Sequence, residues 1–203
     1  DEASLRPFLA DADALLLFHD IALIGEATFA NAPRCQCVVR AGVGYNNVDL
    51  AAAERHGTMV CNVPDYGTEE VADHAIALTM ALCRQILPLD AEAKQLGWNI
   101  RVTPKLRRLS SLTFGIVGLG RIGTATALRA KALGFRVIFH DPYLANGADK
   151  AVGITRVRTL EELLAQTDVL SLHCPLNEKT RHLIAERELA LLKPSTFVVN
   201  TAR

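Results

Sequence analysis

The chain has 203 residues, half of them hydrophobic, with 22 basic and 22 acidic side chains and a formal net charge of zero. Such a length holds one large domain or two small ones with a real core, whereas scattered charge and 5% aromatics supply neither the basic stripe nor the stacking platforms of a nucleic-acid binder. No apolar run approaches the ~20 residues of a membrane helix, and the five cysteines (Cys35, Cys37, Cys61, Cys83 and Cys174) match no zinc spacing, so reduced, mostly buried thiols and no metal site are expected.

In chain order, Ala14 to Phe18 reads as a buried strand. Cys37 to Arg40 reads as a second, and Met59 to Val63 as a third, stopped by Pro64. Gly25 to Asn31 and Val48 to His56 have helical composition. Short, nearly all-apolar strands between helices predict a parallel sheet covered on both faces. A long helix follows, capped by Thr68 with Glu69 and Glu70 in its first turn, and Val71, Ala75, Leu78, Leu82 and Ile86 recur at helical spacing. Helical composition runs past Pro88, which should kink the helix or start a new one, to about Leu96. The basic, polar stretch from Asn99 to Ser111 reads as a surface connector.

From Leu112 the alternation resumes. Strands are predicted at Leu112–Val117, Arg136–His140, Val169–His173 and Thr196–Asn200, with a weak element at Ile154–Val157. Helices are predicted at Ile122–Leu133, at Thr159–Gln166 capped by Thr159, and at Glu186–Leu192. Between the first strand and helix, Gly118-Leu119-Gly120-Arg121-Ile122-Gly123 fits G-x-G-x-x-G. The pattern is weak alone and strong between a buried strand and an Ala-rich helix. Gly118 suits a tight turn, Gly120 a close approach of pyrophosphate to the backbone, and Gly123 close packing of helix on strand. The helix N-terminus offers N–H groups to the phosphates, and Arg121 adds charge. Asp141 ends the next strand, where an acid binds a ribose 2′-hydroxyl and repels a 2′-phosphate. No Arg or Lys follows it until Lys150, so the cofactor is read as NAD.

Four segments carry a resemblance. They are Arg40-Ala-Gly42-Val43-Gly44-Tyr-Asn46-Asn47-Val-Asp49; Cys61-Asn-Val-Pro64 with Glu69-Glu70-Val-Ala-Asp-His74; the Gly118 turn with Asp141-Pro142-Tyr143; and Leu172-His-Cys174-Pro175-Leu-Asn177 with Asn200-Thr201-Ala202-Arg203. In order and spacing the whole chain resembles the D-2-hydroxyacid dehydrogenase family, most of all its C-terminal binding protein branch and that branch's bacterial relatives. The resemblance implies an α/β fold: a doubly wound, Rossmann-type NAD domain over residues 67–203, led by an interdomain helix, and a partial flavodoxin-like substrate domain over 1–66. It implies hydride transfer between NAD(H) and a small 2-hydroxy or 2-keto acid of D configuration. Arg203 is then the catalytic arginine, its planar fork gripping substrate oxygens. The Gly42–Gly44 loop receives the substrate carboxylate through Val43 and Gly44, with charge from Arg40 and two glycines freeing the backbone to point inward. Cys174, Pro175, Thr180, Thr201 and Ala202 line the nicotinamide ribose and ring beside the cofactor residues of the glycine turn.

The same resemblance implies that the chain is truncated at both ends. The family's catalytic histidine and the acid that orients it lie downstream of Arg203, so the chain by itself should be a poor catalyst. A cytoplasmic homodimer is expected, with Thr68 to Leu96 as a candidate contact. The rival reading is an NAD(H)-sensing, corepressor-like interaction protein, since a fold fixes the cofactor and not the output. His74 is read as core or interface packing, His173 as hydrogen-bonded to nearby backbone and His140 as a sheet residue. None of them is taken as the proton donor. Tyr45 and Tyr66 are candidates to border the cleft.

Overall fold

In a computed structural model, which describes residues 2–18, 23–99, 101, 103 and 106–202, the chain forms two units, Asp1–Gly67 and Thr68–Arg203. Unit 1 runs α1 (Glu2–Leu9), β1 (Ala14–Leu17), α2 (Glu26–Ala30), β2 (Cys37–Arg40), α3 (Leu50–Arg55) and β3 (Met59–Asn62). The strands are parallel in the order β1-β2-β3, with Leu15, Val38 and Val60 in one row and Leu16, Val39 and Cys61 in the next. Neighbouring rows point to opposite faces. One face builds a core in which Leu17 and Val38 join Leu9, Phe29, Ala52 and Ala53 from α1, α2 and α3. The α3 start is fixed by Asp49, whose side chain accepts from the Ala52 N–H at 2.9 Å.

On the other face Leu16 and Met59 stay 59% and 65% exposed. Among the described residues this second face is therefore uncovered. The described helices all join one core, and an apolar strand pattern cannot say what covers its second face.

Unit 2 runs α4 (Thr68–Cys83), α5 (Ile86–Lys94), β4 (Thr113–Val117), α6 (Arg121–Ala132), β5 (Arg136–His140), α7 (Ala148–Val152), β6 (Thr155–Arg156), α8 (Leu160–Gln166), β7 (Val169–Leu172), α9 (Glu186–Leu189) and β8 (Phe197–Asn200). Its parallel sheet has the order β6-β5-β4-β7-β8. The chain winds outward from β4 through β5 to β6, then returns to the other side of β4. The crevice where the order reverses, at the carboxyl ends of β4 and β7, is where such sheets bind ligands.

Every residue of β4 is buried. Phe114 and Ile116 face Ala127 and Ala130 of α6 with Ala75 and Cys83 of α4, while Val117 and Leu170 face Leu163 and Leu164 of α8. Thr159 caps α8 in a capping box with Glu162, its hydroxyl accepting from the Glu162 N–H at 3.1 Å.

One expectation for the long helix is corrected, and at Pro88 the alternative of a new helix is the one found. The buried stripe of α4 is Ala72, Ala75, Thr79 and Cys83, with Leu78 38% and Ile86 49% exposed. Small side chains let α4 lie close on the Ala-rich α6, so proximity outweighs the larger apolar residues in choosing the inward face. The break comes at Gln85, held at φ 53°, so that Pro88 falls in the first turn of α5, where its missing N–H costs nothing.

Candidate functional site

The glycine turn joins β4 to α6. Gly118 stands at φ 88°, a left-handed conformation that favours glycine, and a Cβ there would press within 3.0 Å of the Cys174 backbone N. A Cβ on Gly123 would collide with the Gly118 carbonyl oxygen, so the close approach of helix to turn depends on that glycine. Gly120 has nothing within 4 Å of a would-be Cβ and is the N-cap of α6 without a side-chain cap. That combination leaves an open approach to the helix N-terminus, the geometry a pyrophosphate needs. Leu119 is buried, Arg121 is exposed in the first turn and Ile122 is half-buried.

Asp141 follows β5 and ties the turn together. Its Oδ2 accepts from the Leu119 N–H and its Oδ1 from the Tyr143 N–H, both at 2.9 Å. Each carboxylate oxygen retains a lone pair for a further donor such as a ribose hydroxyl. One nearby cation escaped the linear reading. Arg156, on β6 beside β5, donates through Nη2 to the Asp141 carbonyl at 2.6 Å and through Nη1 to that of Ala145 at 3.3 Å. Only the pairing of Phe139 with Arg156 reveals it. Across the crevice, the Lys179 ammonium stands 5.8 Å from the Tyr143 ring centroid, bringing the loop after β7 against the loop after β5.

The loop after β7 is self-bonded. Asn177 Oδ1 accepts from the Lys179 and Thr180 N–H groups at 2.9 and 3.1 Å, and Thr180 Oγ1 accepts from the Asn177 N–H at 2.9 Å. Cys174 and Thr180 line a cavity of about 140 Å³ with Leu172, Leu183, Ile184 and Ala202, and Pro175 is also on its wall. Burial pushes the Cys174 thiol up, so it is a protonated wall residue and no nucleophile. His173 lies beside Gly123, with Nε2 2.8 Å from Ser171 Oγ, and burial pulls it down to about 4. Its ring contact is thus to a side chain where backbone was expected, though its own N–H does donate to the Val117 carbonyl at 2.9 Å.

Of the two packing alternatives for His74, the core one is corrected. The side chain is exposed, and with Glu70, Val71, Leu78, Asn200 and Thr201 it lines a second concavity of about 460 Å³. Residue 74 lies about 200° around the helix from buried Ala72, which takes it away from the core. Thr201 Oγ1 is buried in this wall without a hydrogen-bond partner among the described residues. Arg203 lies outside the described residues. Tyr45 and Tyr66 are exposed, at 50% and 60%.

In unit 1, Arg40 ends β2 and is only 4% exposed, with Nε and Nη1 lacking hydrogen-bond partners among the described residues. Val43 and Gly44 are half-buried just beyond it. The loop is pinned through carbonyls. Val63 N–H donates to Gly42 O at 3.1 Å, and Asn62 Nδ2 donates to Val43 O at 2.9 Å, leaving the Val43 and Gly44 N–H groups outside these bonds. Neither Gly42 nor Gly44 has a positive φ, so the expectation that these glycines supply backbone freedom is corrected. At Gly42 the need is for space, because a Cβ would collide with the Arg40 guanidinium.

Residues 76–203 match the family model described as "D-isomer specific 2-hydroxyacid dehydrogenase, NAD binding domain". The chain belongs to this family. It is 37% identical to a glyoxylate reductase of Korarchaeum cryptofilum (strain OPF8) over 196 residues, covering 95% of this chain and 58% of that protein. It is 38% identical to a D-3-phosphoglycerate dehydrogenase of Mycobacterium leprae (strain TN) over 203 residues, covering 100% of this chain and 38% of that protein. Among solved structures, a D-lactate dehydrogenase from Aquifex aeolicus complexed with NAD and lactic acid superposes with a TM-score of 0.89 at 30% identity, covering 98% of this chain and 59% of that one. The chain thus spans between about two fifths and three fifths of the length of these relatives.

Proposed function

We propose that the whole protein is an NAD-dependent oxidoreductase that moves a hydride between NAD(H) and a 2-hydroxy or 2-keto acid of D configuration. The observation that carries this reading is the open Gly120 turn bonded through Leu119 to Asp141 at the switch point of the sheet. Unit 2 provides the cofactor seat. Gly118 to Gly123 take the pyrophosphate, Asp141 takes the adenosine ribose, and Cys174, Pro175, Thr180, Thr201 and Ala202 border the nicotinamide half. When bound, the nicotinamide supplies the hydride chemistry. Unit 1 is the substrate domain, in which Arg40 and the N–H groups of Val43 and Gly44 face the substrate carboxylate. Arg203 grips the substrate oxygens and stabilises charge on the carbonyl. His173, neutral above about pH 4, orients through Ser171 and is not the proton donor.

A cytoplasmic homodimer belongs to the same proposal. Its supports are the free thiols among the described cysteines and the exposed Ile86, Leu87, Leu96 and Trp98 along and just beyond α5. Placement beside the C-terminal binding protein branch rests on the four motif segments alone, and no observation favours a corepressor-like output.

Full-length protein mixed with NADH and a panel of 2-keto acids is expected to oxidise the cofactor; NADH binding without turnover of any of them overturns the enzymatic reading. Asp141→Asn keeps one acceptor for the turn and removes the charge that repels a 2′-phosphate. It is expected to narrow the preference for NAD over NADP by roughly tenfold by calorimetric titration, and equal loss of both cofactors would refute the role given to Asp141.

A further inference from the structure

We propose that Gly42 is a positioning residue for Arg40: the space left by its missing side chain is the seat against which the Arg40 guanidinium lies, and the pair presents a buried cation to an oxyanion, the carboxylate of a 2-keto or 2-hydroxy acid. This rests on the substrate reading of unit 1 proposed above and adds to it the residue that aims the charge.

Three observations converge on it. Arg40 is 4% exposed with two guanidinium nitrogens unpartnered among the described residues. Buried guanidinium groups are costly unless an acceptor answers them, so this head group is built for a negative ligand. An ideal Cβ on Gly42 would collide with Nη1 and stand 3.0 Å from Cζ and 3.2 Å from Nη2. The forked end of the side chain therefore lies against residue 42.

The backbone at that point has no freedom to give way. Gly42 N–H donates to Arg40 O at 2.7 Å in a tight turn over Ala41, and Gly42 O accepts from Val63 N–H at 3.1 Å. With φ at Gly42 outside the left-handed region, an alanine is conformationally allowed there, and the added methyl has to push the guanidinium aside. A planar fork displaced from its seat loses the two-pronged geometry that makes an arginine good at holding a carboxylate. Next along the chain from Gly42 come the N–H groups of Val43 and Gly44, so the guanidinium lies against the same short loop that carries the donors assigned to the carboxylate.

The test uses the full-length protein and oxalate, a non-reacting mimic of a 2-keto acid, titrated calorimetrically against wild type, Gly42→Ala, Arg40→Ala and the double variant. Gly42→Ala is expected to weaken oxalate by roughly ten- to a hundred-fold and to raise KM for a 2-keto acid more than it lowers kcat, with an unchanged thermal midpoint. Because Gly42 acts through Arg40, adding Gly42→Ala to Arg40→Ala should cost nothing further. Unchanged oxalate affinity in Gly42→Ala, or an undiminished loss in the Arg40→Ala background, overturns the proposal.

If Gly42→Ala does not fold, Arg40→Lys tests the same seat. Replacing the fork by a point charge is expected to weaken oxalate by roughly tenfold, and equal affinity overturns the proposal. If the wild type reduces no 2-keto acid yet oxalate follows this pattern, the enzymatic reading falls and the positioning role stands. If it turns substrate over and Gly42→Ala leaves KM unchanged, only the positioning role falls.

Discussion

β2 of unit 1 and β4 of unit 2 read alike as short apolar parallel strands, yet they end in different surroundings. All five residues of β4 are buried, between α6 and α4 on one face and α8 on the other. β2 alternates, with Val38 and Arg40 buried and Cys37 and Val39 half-buried under an outer face that Leu16 and Met59 leave open. A continuous apolar run states only that both faces tolerate burial. Whether both are covered depends on where the helices pack, and in unit 1 those described all gather on one side.

The largest expected effect that sharpens this contrast is Phe114→Ala. This ring is fully buried and meets Phe135 edge-on at 5.4 Å. Its loss should destabilise unit 2 by about 3–5 kcal/mol in urea unfolding, and a cost below about 1 kcal/mol would show that the doubly covered sheet is not tightly packed.

Next comes the amino-terminal edge of the same sheet. Asp168 is buried there; burial raises its carboxyl, but the Thr113 N–H at 2.8 Å, Arg107 at 2.8 Å and Lys193 at 3.2 Å together hold it below its ordinary range. A depressed carboxylate contributes stability that is present above its unfolded value near 3.9 and lost as pH falls through the folded value. Asp168→Asn should therefore cost about 1–3 kcal/mol at neutral pH and flatten the acid limb of the stability profile. An unaltered limb would remove Asp168 from the account.

His173 gives a smaller, pH-restricted effect. Its folded value of about 4 lies below the unfolded one near 6.5. Between those values the unfolded chain binds the extra proton, so stability is complete above about pH 6.5 and declines as pH falls toward 4. His173→Gln should abolish that slope, and an NMR titration showing His173 protonating near 6.5 would contradict its burial. Smallest of all, Leu16→Thr on the open face of unit 1 should change stability by no more than about 0.5 kcal/mol. A loss of about 2 kcal/mol or more would mean that something covers that face in solution.

The elements along the chain were legible because their signals are local. The Thr159 capping box and the strand–glycine–helix succession at Gly118 each lie within a few residues of what they organise, and Asp141 is marked by its place at the end of the next strand. α1 and α7 carried no comparable signal, since short helices depend on tertiary support more than on propensity. The inward stripe of α4 departs from the apolar spacing for a physical reason: Ala72, Ala75, Thr79 and Cys83 are buried because they are small enough for two helix backbones to approach, a criterion that hydrophobicity does not measure.

What the amino-acid sequence determined by itself is the order of the strands and of the helices other than α1 and α7, the positions of the glycines and the acid at the end of β5. These follow from period, turn chemistry and capping, which act over a few residues. Only the tertiary structure decided that Arg156 reaches Asp141 from a neighbouring strand, that His74 leaves the core for a cavity wall, that one sheet is covered twice and the other once, and that Gly42 is a seat for Arg40 and not a hinge. Each of these depends on which surfaces meet, and contact across space is set by packing that no local spacing encodes.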